Sequence, residues 1–447
     1  MKRVIAAIAT ALLLWTQPAV AQSVLRDAET ESLFRDMMAP LVKASGLSPK
    51  NVQVLLVQDD EINAGTIAGQ TIIVNSGLIE AADNANQVQG VLAHELGHMA
   101  DGHLVLGDAG ARPAMGIYIL SLVLGVAAAA AGAPDAAAGI LGAGQQAATG
   151  RYLSFSRTEE STADATGAKF LREAGITGKG MLDFFKKLQN QEYRYGAGNV
   201  DPFLQTHPLS TERIATLTHD ITNSPAYNTP PDQSLNDRFR RVKAKLKGYV
   251  DPWQQTLQAY PENDQSLYAR YARAYAWHKA GYPDKADAET RALVAAEPHD
   301  PYFLEIRGEI LLEAGDPNAS IAPLREATER SDNAPLIATT YGHALIATEN
   351  KANYPEAVKV LRSAVARDDD NPFAWYQLGT AYEASGDQAR AMLATAESAS
   401  INGDSKLAAF QAHNAMAGLP PNSPDWIRAQ DIAMTAQNDL DDQKHHK

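Results

Sequence analysis

A repeat in its second half restricts this 447-residue chain more than any other feature. Ala274, Gly308, Gly342 and Gly379 fall 34, 34 and 37 residues apart, and the last interval holds a short insertion near Lys351–Tyr354. Three residues after each comes a large side chain: Trp277, Leu311, Leu345 and Tyr382. Ala286, Ser320, Ala357 and Ala391 give a small residue on the following segment, allowing for the insertion. Glu297-Pro298 closes the first unit, and Pro301 and Pro372 open later ones. A unit of this length is a helix pair. The small residue lets its helices approach closely, and the large one fills the gap to the next unit. No unit buries its apolar face alone, so the units stack into a curved solenoid with a concave groove. Helices near Ser405–Met416 and Pro424–Asn438 are expected to cap the stack, and the polar tail Asp441–Lys447 to be disordered.

The chain begins differently. Lys2 and Arg3, the apolar run Val4–Trp15, and Ala19-Val20-Ala21 before Gln22 read as a secretory signal peptide over residues 1–21. The run is too short for a stable span, and its style points to a bacterial periplasm. There is no cysteine, hence no disulfide framework and no thiolate metal site. A net charge of −14 argues against nucleic-acid binding, which needs a clustered basic surface. The expected organisation is a first domain over 22–235, a linker helix over 236–263, repeats over 264–400, capping helices over 401–440 and the tail from 441.

Within the first domain the spacing predicts a helix over Asp27–Ala44, strands at Val52–Gln58 and Thr71–Asn75, and helices over Ala85–Val105 and Thr158–Glu173. Gly196–Pro231 reads as loop-rich. Ala114–Ala133 carries no charge, but Gly116, Gly125 and Gly132 interrupt it. We expect residues 114–150 to form a hydrophobic hairpin that packs as a lid or touches a membrane surface, rather than a span.

The chemistry lies in VLAHELGHMADGH, residues 91–103. On a helix His94 and His98 lie one turn apart on one face and can address one metal ion. Zinc suits imidazole and carboxylate ligands, and three protein ligands leave a position open for water. Glu95 sits where its carboxylate can take a proton from that water without binding the metal. SRTEESTAD, residues 156–164, supplies the third ligand. Glu160 can complete the shell while Asp164, four residues on, accepts the free N–H of a ligand histidine. Glu159 is the rival ligand, turned about 100° away on the helix. His103 rotates off the metal face and is expected to make a surface or local hydrogen bond. In THPLSTER, residues 206–213, His207 can stabilise an oxyanion or occupy the open metal position at rest. Arg213 is either a second oxyanion partner or a helix-surface charge.

The period and residue offsets of the repeat resemble tetratricopeptide units. HELGH at 94–98, SRTEESTAD at 156–164 and INAGTIAGQTIIVNSGLI at 62–79 resemble the gluzincin peptidases that include HtpX and the CAAX prenyl proteases. The implied fold is an α-rich α+β, gluzincin-type metalloprotease domain with a small sheet, followed by an all-α tetratricopeptide solenoid. The resemblance implies a zinc endopeptidase, with one zinc held by His94, His98 and Glu160 and with Glu95 as general base. It also implies that Thr71–Asn75 is the active-site edge strand, able to pair with an extended substrate. Secreted, repeat-bearing members imply a periplasmic role in outer-membrane protein assembly and quality control. The expected partners are unfolded or misassembled outer-membrane proteins, the outer-membrane assembly machinery through the repeat groove, and a membrane surface touched peripherally. The alternative is a chaperone-like assembly scaffold with restrained proteolysis.

Overall fold

A computed structural model describes residues 23–67, 70–130, 134–195 and 207–445. The signal peptide expected over 1–21 lies outside the described residues. The chain divides into two compact units: residues up to Arg26 with Leu33–Phe239, and Asp27–Ser32 with Arg240–Lys447.

The first unit holds a four-stranded sheet in the order β1 (Val24–Leu25), β2 (Gln53–Val57), β4 (Thr71–Asn75), β3 (Ala64–Ile67). β2 and β4 run parallel with Leu55 opposite Ile73, while β3 lies antiparallel to β4 with Thr66 opposite Ile72. The expected edge strand is therefore corrected. Thr71–Asn75 is flanked on both sides, and the edge is β3. Ala64 and Gly65 hide this strand in the sequence, because they lack the branched and aromatic side chains that mark strands.

Helix α1 (Ala28–Ser45) buries Leu33, Met37, Leu41 and Val42, a helical stripe, in this unit. After β4 come α2 (Ser76–Ala81), α3 (Ala85–Ala100), α4 (His103–Ala130), α5 (Pro134–Glu173), α6 (Lys179–Tyr195), α7 (Thr211–Thr222) and α8 (Gln233–Val250). The helix expected over Ala85–Val105 is broken at Asp101-Gly102, where Gly102 takes φ +71°. The helix expected from Thr158 is the last part of the 40-residue α5. α4 and α5 pack along each other at small residues: a Cβ added to Gly144 would lie 2.0 Å from that of Ser121. Met115, Ile119, Leu120, Val123 and Leu124 stay exposed on this hairpin. Among the described residues no helix is long and apolar enough to cross a membrane.

The second unit is a solenoid. After α9 (Trp253–Ala259), helix pairs run α10/α11 (Leu267–Lys279, Pro283–Ala296), α12/α13 (Pro301–Glu313, Pro317–Arg330), α14/α15 (Pro335–Ala347, Tyr354–Arg367) and α16/α17 (Pro372–Ala384, Gln388–Ile401). Proline opens most of these helices, where its missing N–H leaves no bond unmade. Side chains of Asp300, Asp316, Asn371 and Asp387 cap four of them. The small register position is a steric demand: a Cβ on Gly308 would lie 2.4 Å from Leu324 Cγ. The last pair, α18 (Ser405–Gly418) and α19 (Pro424–His445), packs Ala412, Ala415, Ala429 and Ala433 against Leu393 and Ala396 of α17. The tail expected to be disordered from Asp441 is helical to His445.

Candidate metal centre

α3 is buried on all sides from Ala85 to Gly97, and the Asn84 side chain caps it by accepting the Gln87 N–H. Helical spacing puts His94 and His98 on one face, with their Nε2 atoms 3.2 Å apart. α5 crosses that face at backbone contact. A Cβ on Gly97 would lie 2.6 Å from the Ala163 carbonyl oxygen, and one on Gly167 would lie 2.9 Å from that of Ala93. The close approach delivers Glu160, whose oxygens lie 3.4 Å from His94 Nε2 and 3.3 Å from His98 Nε2. Four residues on, Asp164 Oδ1 lies 3.0 Å from His94 Nδ1. His207, at the entry to α7, brings Nδ1 to 3.1 Å from both Glu160 oxygens and 3.3 Å from His94 Nε2. Ligand atoms of His94, His98, Glu160 and His207 all fall within 4.8 Å of one another.

The outer nitrogens are engaged as well. Asp164 faces His94 Nδ1, and His103 Nδ1 lies 2.9 Å from His98 Nδ1. That is the local hydrogen bond expected of His103, and it turns the two inner nitrogens, both Nε2, toward Glu160. Ring lone pairs crowded beside a carboxylate are stable only around a cation or shared protons, so the donor set fits a divalent ion. With protons in that place, burial opposes charging of His94, yet Asp164 and Glu160 push its pKa up to about 10. Burial likewise disfavours ionised Glu160, but His207, His94 and His98 hold its carboxyl far below the usual range.

Arg213 fits neither role expected for it. It is 4% exposed. Its Nε and Nη2 donate to Asp164 at 2.7 and 2.9 Å, and Nη1 donates to the Pro208 carbonyl at 2.7 Å. One guanidinium thus fixes the carboxylate behind His94 and the backbone that carries His207. A lone Arg in a loop-to-helix stretch gave no sign of this, because the bond spans 49 residues. Thr66 went unnoticed too. Its hydroxyl lies 3.0 Å from the Glu95 carbonyl oxygen and 3.2 Å from Glu95 Oε2. Glu95, 1% exposed, stays outside the four-donor group. Its Oε1 makes no hydrogen bond and lies 3.6 Å from His207 Nε2. Glu159 also stays outside the group.

Two histidines one turn apart and a glutamate from a second helix, with a further carboxylate poised beside them, form a buried potential metal site whose donors match a zinc metallopeptidase of the HExxH class. Residues 25–221 match peptidase family M48, and the chain belongs to that family. It is 27% identical to the Beta-barrel assembly-enhancing protease of Escherichia coli K12 over 81% of this chain and 71% of that one. The Yersinia pestis protein of the same name is 25% identical over 78% of this chain and 71% of its own. Metalloprotease YcaL of Escherichia coli K12 is 31% identical over 42% of this chain and 69% of its own.

Proposed function

We propose that the chain is a periplasmic zinc endopeptidase that degrades misfolded or stalled proteins during outer-membrane protein assembly. The observation that carries this is the convergence of His94, His98 and Glu160 beside the unpartnered Glu95 oxygen and the edge strand β3. His94, His98 and Glu160 would hold a zinc ion, which would supply Lewis acidity toward water and the scissile carbonyl. An extended substrate pairs with β3 through its main chain. Glu95 Oε1 takes the proton of the attacking water and delivers it to the departing amine, while Thr66 keeps the carboxylate in place. Asp164 holds the tautomer of His94, and Arg213 holds Asp164. The names of the curated relatives support outer-membrane assembly as the setting. The solenoid groove suits the assembly machinery or a client, and the exposed apolar hairpin suits peripheral contact with a membrane.

A second reading, a chaperone-like scaffold with restrained proteolysis, is favoured by His207. Its Nδ1 sits among the ligand atoms, where it would fill a fourth position on a bound ion and would have to move aside before cleavage. Metal content and casein cleavage test both readings. His94→Ala should lose zinc. Glu95→Gln should keep zinc and lose about 10²–10⁴-fold in rate. If Glu95→Gln cuts casein as the parent does, the peptidase assignment fails; if it still supports outer-membrane assembly in cells, the scaffold role stands apart from cutting.

A further inference from the structure

A cleft of about 260 Å³ opens beside the metal centre, between β3 and His207. Two acidic residues, Asp59 and Glu61, line it together with His207, and no Lys or Arg of the described residues joins them; Asp59 Oδ1 accepts the Glu61 N–H at 2.9 Å, which sets the two acids side by side on one turn. The turn bearing the two acids is held firmly. The Asp59 N–H donates to Ser76 Oγ at 3.0 Å, and its carbonyl accepts from Ser76 Oγ at 2.8 Å and from the Gly77 N–H at 2.9 Å. A Cβ on Gly77 would lie 2.2 Å from the Asp60 carbonyl oxygen, so the turn is seated directly on α2. One amide oxygen in the wall awaits a donor: Asn63 Oδ1 is buried and accepts no hydrogen bond. A buried acceptor left unmade is unfavourable, and a ligand that brings N–H groups relieves it. Ile67 and Ile73 add the apolar surface that a methylene stem covers.

We propose that this cleft is the subsite for a lysine or arginine side chain of the substrate, with Asp59 and Glu61 as its specificity determinants. The proposal rests on the peptidase reading above. A strand paired with β3 sends every second side chain to the same side, so one position near the cut enters the cleft. There an ammonium or guanidinium group meets two carboxylates and the Asn63 oxygen. A glutamate at that position meets like charge and leaves Asn63 unpaired, which is discrimination by repulsion as well as attraction.

Internally quenched peptides that differ only in carrying Lys, Gln or Glu, scanned through the positions around the cut, test this with the zinc-loaded full chain. The expected result is one position at which Lys exceeds Glu by about tenfold in kcat/KM at low salt. Glu61→Gln should reduce that ratio to about threefold, and Glu61→Lys, at an exposed position that tolerates it, should invert it. A Lys-to-Glu ratio below threefold at every position, or a ratio unchanged in both Glu61→Lys and Asp59→Asn, overturns the proposal. Fluorescence anisotropy of the same peptides on Glu95→Gln separates the two failures. If no peptide is cut, the peptidase reading falls. Binding then decides the subsite by itself: tighter Lys binding supports it, and equal binding refutes it.

Discussion

Asp164 stands at the meeting of two charges, with the Arg213 fork on one side and His94 Nδ1 3.0 Å away on the other. Its loss therefore acts through His94. Asp164→Asn should weaken zinc binding by about 10–100-fold, measured by chelator competition, with the fold retained. Arg213→Met leaves buried carboxylates without their cation and should destabilise the first unit by about 3–5 kcal/mol in denaturant titration. Metal uptake is also tied to protons. His94, raised to about 10, is charged at neutral pH when protons fill the centre. Zinc needs the neutral ring, so binding must expel that proton and affinity must rise with pH. Calorimetry in buffers of different ionisation enthalpy should show net proton release, and a buffer-independent heat would refute it. The two pairs were legible because helical spacing is local: four residues relate His94 to His98, and four relate Glu160 to Asp164. Thr66 and Arg213 were not legible, since each contact joins chain segments that no local pattern relates.

At the scale of elements, the distance between α3 and α5 decides whether the ligands meet. Gly97 and Gly167 set that distance with backbone-to-backbone contact. Gly97→Ala or Gly167→Ala must push the helices apart, since the opposing atoms are carbonyl oxygens that cannot swing away. Each should cost about 1–3 kcal/mol and reduce zinc occupancy, seen together in thermal melts and metal analysis. Unchanged occupancy in a destabilised Gly97→Ala would mean that the ligands tolerate a shift. The helices themselves were readable from apolar periodicity, but their ends were less so. The break at Gly102 needs a left-handed residue that a run of helix formers conceals, and α5 runs on from a small-residue stretch with no stop signal before Arg151. The edge strand was misplaced for a related reason. Ile72 and Val74 look like strand residues because they are buried in the sheet interior, whereas the outer strand opens with Ala64 and Gly65 and holds only Thr66 and Ile67 as strand formers.

At the scale of the whole molecule, the solenoid unit carries buried carboxyls whose response to acid can be read in its melting. In the solenoid unit, burial raises the carboxyls of Glu305 and Glu309 above their ordinary values, and Glu305 Oε2 has no hydrogen-bond partner. A carboxyl whose folded pKa is raised binds its proton more tightly when folded. Stability therefore grows as pH falls from the raised value toward about 4.5. Glu305→Gln should raise the melting temperature of the solenoid transition by a few degrees at pH 8, on the order of 1 kcal/mol, and change little at pH 5. An equal effect at both pH values would show that Glu305 is not titrating. The repeat was legible because its small position answers a steric demand at Gly308 and Gly342, where an added Cβ would lie 2.4 and 2.5 Å from Leu324 and Leu361 Cγ.

The short stretch Asp27–Ser32 belongs to the solenoid unit, where Glu29 accepts a hydrogen bond from Tyr271 across 242 residues and Asp27 pairs with Lys245. Synthesis delivers that stretch first and its partners long afterwards. The solenoid cannot close its first layer until more than half of the polypeptide has arrived, and the early turn must wait with Asp27 and Glu29 unmatched. Loop-closure entropy over so long a tether favours slow, late docking. Maturation should therefore end, rather than begin, at the amino-terminal turn.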